Sequence, residues 1–150
     1  MSHKYYLSSE ELWMAKATLS AAKQFGFIQE DGFAAMEQRC RKRNQANEKK
    51  LEEKDIVYGV TTYSYAAYLQ QELTGFKLDF LSGKAENYVY RKITEEAKRD
   101  FYLKNQDLFT DFDYKNYEYD DVREVVEKRI REEEYYGYIK DILCQLREGQ

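Results

Sequence analysis

The stretch that decides the fold runs ITEEAKRDFYLKNQDLF over 93 to 109, TDFDYKNYEYD over 110 to 120, and DVREVVEKRIREEEYYGYIKDILCQL over 121 to 146. Its first part opens on Thr94, whose hydroxyl can accept from the free N–H groups of a helix start. Glu95 and Glu96 follow, where negative charge meets the positive end of the helix dipole. Ala97, Phe101 and Leu108 then fall near one face, and the spacing predicts that the chain leaves the helix around Leu108. In the last part Val122, Val125, Val126, Ile130, Ile139, Ile142, Leu143 and Leu146 recur at helical intervals, which gives that segment one apolar side. Such a side is stable only when covered, so the rest of the chain must supply a partner surface.

Working outward, a first helix is expected from Ser8, where Ser8 and Glu11 have the spacing of a capping box and Leu7 and Leu12 that of a hydrophobic staple. Leu12, Ala15, Leu19, Ala22 and Phe25 continue its stripe, and Gly26 is placed to end it. A second helix is predicted from Asp31 to about Lys54. Phe33, Met36 and Cys40 start its buried side, but the same line continues through Asn44 and Asn47. Either those amides meet backbone groups or solvent, or they form a polar cluster with Arg39 and Arg43. Residues 56 to 63 alternate and are β-branched, which predicts an extended clip around Gly59. A third helical region begins near Thr62 or Ser64, with Thr74 and Gly75 as a possible break and Gly83 as its end. Five or six helices with short links imply an all-α fold: one antiparallel helical domain over 1 to 150, its long C-terminal helix packed on the N-terminal ones.

The chain has 150 residues, no proline, fifteen tyrosines and eight phenylalanines, with a formal charge of −4. Missing proline favours uninterrupted helices. Net negative charge argues against nucleic acid, whose phosphates call for a basic excess. No apolar run approaches the roughly 20 residues of a membrane span, and no leader is visible, so a cytoplasmic protein without a membrane partner is expected. Charge is nonetheless uneven. Residues 37 to 54 carry seven basic and four acidic side chains, residues 107 to 134 eleven acidic and five basic. Cys40 and Cys144 sit on apolar stripes and are expected as buried thiols, with a disulfide between them as the alternative.

Catalytic patterns are poorly supported. His3 is the single histidine, which leaves a nucleophile–histidine pair or a histidine zinc site without support, and no glycine-rich phosphate cradle is present. Asp111, Asp113 and Glu118 start like a calcium loop, but Asn116 stands where the loop glycine belongs and Val122 where the bidentate Glu belongs. Neither cofactor nor metal is expected. Candidate binding residues are therefore aromatic: Phe109, Phe112, Tyr114, Tyr117 and Tyr119, interleaved with acids that keep the loop soluble, so that their faces can lie on peptide or sugar. The amide and arginine set Arg39, Arg43, Asn44 and Asn47 is the second candidate.

Thr94-Glu-Glu followed by Tyr102, Asn105 and Phe109 resembles the segment leading into the rotamase domain of parvulin-type foldases of the SurA and PrsA kind. The run Asp121 to Ile130, with Tyr135 and Ile139 beyond, resembles the long helix that follows that domain. About ten residues separate Phe109 from Asp120, far short of a domain, so the resemblance implies the helical chaperone-like body without prolyl isomerase activity. The function expected on this basis is non-catalytic: a chaperone-like protein holding apolar segments of a peptide or protein client. The alternative is a dedicated subunit or assembly factor of a specific enzyme complex, with a homodimer or a dedicated protein as partner. An enzyme using Tyr, Arg and Asn comes third, since nothing in the spacing selects its residues.

Overall fold

The computed structural model describes residues 4–56 and 61–149. Among the described residues there are five α-helices and one 3-10 turn: α1 (Ser9–Gln24), α2 (Phe33–Glu52), α3 (Tyr65–Leu81), α4 (Glu95–Lys104), the turn Gln106–Phe109, and α5 (Tyr119–Glu148). Among the described residues there is no strand, only an isolated antiparallel bridge between Thr110 and Asn116. Half of the clip expected over 56 to 63, residues 57–60, lies outside the described residues. No described helix is long and apolar enough to cross a membrane.

Local signals place most boundaries. Ser8 Oγ accepts from Glu11 N–H while Glu11 reaches back to Ser8 N–H, which completes the capping box. Gly26 takes a φ of 85° beyond α1 and Gly83 a φ of 78° beyond α3, where L side chains are strained. Ser64 and Thr94 cap α3 and α4 through their hydroxyls. Two expectations are corrected here. Helix α3 runs unbroken through Thr74 and Gly75, because its buried Leu69, Phe76 and Phe80 hold it against its neighbours on both sides of the glycine. Helix α4 ends at Lys104 rather than near Leu108, and Asn105 turns the chain into the 3-10 turn.

Helix α1 is the centre of the molecule, and its alanines explain how. Ala15, Leu19 and Ala22 face a cluster with Met36 and Cys40 of α2 and Leu69 and Phe76 of α3. Ala17, Ala21 and Phe25 face a second cluster with Phe80, Tyr135, Ile139 and Ile142. Small side chains on both flanks let two layers approach one helix. Helices α1 and α5 are antiparallel: Arg147 donates to Glu10 at 2.7 Å at one end, and Tyr138 donates to Gln24 at the other. Phe25 carries the second cluster, with Phe80 at 5.0 Å and Tyr138 at 4.7 Å between ring centres. Both cysteines are free, Cys40 buried and Cys144 exposed, so the expectation of two buried thiols holds only for the first.

Candidate functional site

The aromatic loop is built by its backbone. Asp111 N–H donates to Lys115 O at 2.9 Å, and Tyr117 N–H to Phe109 O at 2.7 Å. Asp111 Oδ1 accepts from the N–H groups of Asp113 and Lys115 at 2.9 and 3.0 Å. Asn116 donates to Gln106 at 2.6 Å, and the Tyr102 hydroxyl donates to Tyr117 O. A loop tied this way presents its side chains from a fixed frame, and the five candidate aromatics divide on it. Phe109 is 2 % exposed and packs on Phe101 and Tyr102. Tyr119 is buried, donates to Glu95 at 2.7 Å and lies under Arg99. Both are structural. Phe112 and Tyr114 are 103 % and 90 % exposed, with Tyr117 about half exposed. Tyr114 also holds a φ of 61°.

Electrostatics around the base of the loop are local. The Tyr119 phenol is raised by burial and by its bond to Glu95, while the Glu95 carboxyl is lowered by the same bond and by Arg123. Among the described residues the six acids of 107 to 121 make no ion pair. The pairs of the acidic segment lie further along α5: Glu127 with Lys98, Glu132 with Lys77 and Arg129, and Glu134 with Arg131.

On α2 the second candidate set separates likewise. Asn44 donates to Tyr63 O at 3.0 Å and accepts from Tyr63 N–H at 2.7 Å, which pins the start of α3. Asn47 is buried. Arg39 makes a fork with Glu72 at 2.7 and 2.9 Å and also bonds Glu30 O. Burial and the nearby Glu72 push the neighbouring Tyr68 phenol up to about 12. Arg43 lines an open cleft of about 630 Å³ with Tyr68, Gln71 and Phe76. Helix α2 packs on α3, and the aromatic loop joins α4 to α5. Arg39, Arg43, Asn44 and Asn47 thus form no single site with the aromatic residues.

Sequence reasoning missed a buried carboxylate. Glu134 is 6 % exposed; its Oε2 accepts from Tyr88 OH at 2.5 Å and Arg91 N–H at 2.9 Å, its Oε1 from Arg131 at 2.6 Å. Arg131 also bonds Arg91 O and stacks over Tyr90. Burial alone raises the Glu134 carboxyl, but Tyr88, the Arg91 N–H and Arg131 together outweigh it and leave it lowered. A general acid at neutral pH needs the opposite displacement. Glu134 is therefore an anchor fixing the 83 to 91 segment on α5, beside an open cleft of about 490 Å³ lined by Tyr90, Glu124, Glu127 and Arg131. The signal was present in the sequence: Val126, Ile130 and Glu134 follow at successive fours on the stripe of α5.

No family model matches the chain, and no curated protein does. Two solved structures share the fold, both of the GH136 lacto-N-biosidase from Eubacterium ramulus. The native protein is 21% identical with a TM-score of 0.72, covering 88% of this chain and 27% of that one. The selenomethionine derivative gives 20% and 0.73, covering 89% and 27%. The chain thus spans about a quarter of the length of the solved chains it matches. That likeness corrects the functional expectation: the architecture read as a chaperone-like holder of clients is found as part of a glycoside hydrolase.

Proposed function

We propose that this chain is a helical module of a glycoside hydrolase, a part of the enzyme that works together with a separate catalytic part. The observation that carries the reading is the shared architecture over 88% of the chain with a lacto-N-biosidase in which the matching portion is 27% of the length. The side chains agree with a supporting rather than a bond-breaking role. Hydrolysis of a glycosidic bond usually takes two carboxyls across a cleft, one held protonated. The three carboxyls that are displaced here, Glu37, Glu95 and Glu134, are all displaced downward by hydrogen bonds to them. Each is held by partners on another element: Glu37 by Lys4 and Tyr5, Glu95 by Arg123 and Tyr119, Glu134 by Tyr88 and Arg91. They join helices and loops.

The test is isolation of the protein from its native cells under mild conditions, with the preparation assayed on nitrophenyl glycosides that include the lacto-N-bioside. Glycosidase activity that travels with the chain, and mass spectrometry that finds a glycoside hydrolase polypeptide joined or bound to it, is the expected result. A preparation inactive on the whole panel overturns the reading.

A further inference from the structure

We propose that the loop between α4 and α5 is the surface by which this module docks on the catalytic part, with Phe112 as the anchor and Tyr114 and Tyr117 beside it. The proposal rests on the reading of the chain as a glycoside hydrolase module and names the contact that reading requires. Three independent observations meet at the loop.

Phe112 projects fully into water and Tyr114 almost fully, from a frame closed by the Asp111, Asn116 and Tyr102 hydrogen bonds. A backbone fixed before binding need not be ordered on contact, which lowers the cost of association. Tyr114 occupies a left-handed backbone position at a φ of 61°, which costs a side chain of this kind and costs glycine nothing. A bulky phenol kept there has a use for its side chain. Lastly, no residue of α4 is buried, and Leu103 and Leu108 are exposed next to the loop. Aliphatic side chains and a phenyl ring without a polar tip match an apolar protein pocket.

Charge states the chemistry of the partner. Six acids and one base lie between Asp107 and Asp121, and among the described residues none of the acids is ion-paired. The pocket that receives Phe112 is accordingly apolar inside and basic at its rim, so that contact pairs charges which are free in the isolated module.

The experiment uses the assembly isolated from native cells, in wild-type form and with Phe112→Ala, Tyr114→Ala or Val89→Ala. Val89 is equally exposed but lies in the 83 to 94 segment, and serves as control. Expected are unchanged helical content and melting for each variant alone, and a module–catalytic-part affinity lowered roughly tenfold or more by Phe112→Ala, less by Tyr114→Ala and not by Val89→Ala. Raising salt should weaken the wild-type contact. An assembly that binds equally well with Phe112→Ala overturns the docking surface and leaves the module reading standing. A wild-type preparation with no glycoside hydrolase overturns both. Two other occupants have their own signatures: self-association of the purified chain abolished by Phe112→Ala, or lacto-N-biose binding lost in that variant. Either overturns the proposal.

Discussion

Removal of the Glu134 carboxylate is the most direct test of how the molecule holds its shape. Its side chain is 3% exposed, against 18% for its partner Arg131. Truncation to alanine takes the acceptor from Tyr88 OH and Arg91 N–H, each costing about 1 to 3 kcal/mol where no water replaces it. Arg131 keeps its bond to Arg91 O and reaches solvent, so its loss is smaller. The expected total is about 3 kcal/mol, at the lower edge of the range for breaking a buried pair. Glu134→Gln keeps one acceptor oxygen and the volume but turns an amide N–H₂ toward a donor, for about 2 kcal/mol. Urea unfolding followed by circular dichroism at neutral pH measures both. A loss below about 1 kcal/mol in the alanine variant, the scale of an ordinary surface change, would refute the anchor. The pH dependence gives a second reading. The folded carboxyl is lowered, so its contribution is full above the unfolded value of about 4.3 and is lost as pH falls through the lower folded value. Between those values wild type should lose stability faster than Glu134→Gln; parallel curves would show that Glu134 is not the titrating group.

Two further substitutions separate packing from hydrogen bonding and backbone entropy. Tyr135 is buried among Phe25, Phe80 and Tyr136, and among the described residues its hydroxyl has no hydrogen-bond partner. Tyr135→Phe should leave stability unchanged or raise it by about 1 kcal/mol, since it removes an unpaired polar atom at little cost in shape; thermal melting would show a fall if the hydroxyl were paired. Gly75 lies inside α3, and a methyl group added there meets nothing within 4 Å. Gly75→Ala should therefore stabilise by about 1 kcal/mol, and a destabilised variant in urea unfolding would show that the glycine serves a close approach.

Three of the five helices were legible at their starts, because Ser8, Ser64 and Thr94 cap them through their side chains, whereas α2 and α5 start on Gly32 and Glu118 with no side-chain cap. What periodicity could not supply was which face meets which neighbour. The stripe through Leu12, Leu19 and Phe25 describes one side of α1, while Ala17 and Ala21 bury a second side that no large residue advertises. Gly75 suggested a break because a local breaker was weighed without the packing of Phe76 and Phe80 around it. The aromatic loop was legible as a concentration of rings, but not its division. Phe109 and Tyr119 stand at the two feet of the loop, where the 3-10 turn and the first turn of α5 carry them inward, and only the residues at the tip stay outside.

That division also decides where binding can occur. Opening α5 away from the rest would expose Phe25, Phe80, Ile139 and Ile142, which are buried in one cluster with it. At about 1.5 to 3 kcal/mol for each side chain the opening costs roughly 6 to 12 kcal/mol, as much as the whole net stability of a typical domain. The part of the α5 stripe that holds Val126, Ile139 and Ile142 is thus covered by the fold itself. The end built from α4, the 3-10 turn and the loop obeys the opposite economy. Helix α4 buries none of its residues, and it is tied to α5 by exposed contacts such as Arg123 with Glu95 at 2.6 Å. Covering that end removes apolar surface from water without dismantling any core. A partner seated on Phe112 and Tyr114 would thus stabilise the weaker end of the molecule while leaving the α1 core as it stands, and local hydrogen exchange in α4 should slow on docking while exchange in α1 stays the same. Equal slowing in both helices would show that the two ends form one cooperative unit and that the distinction drawn between them is wrong.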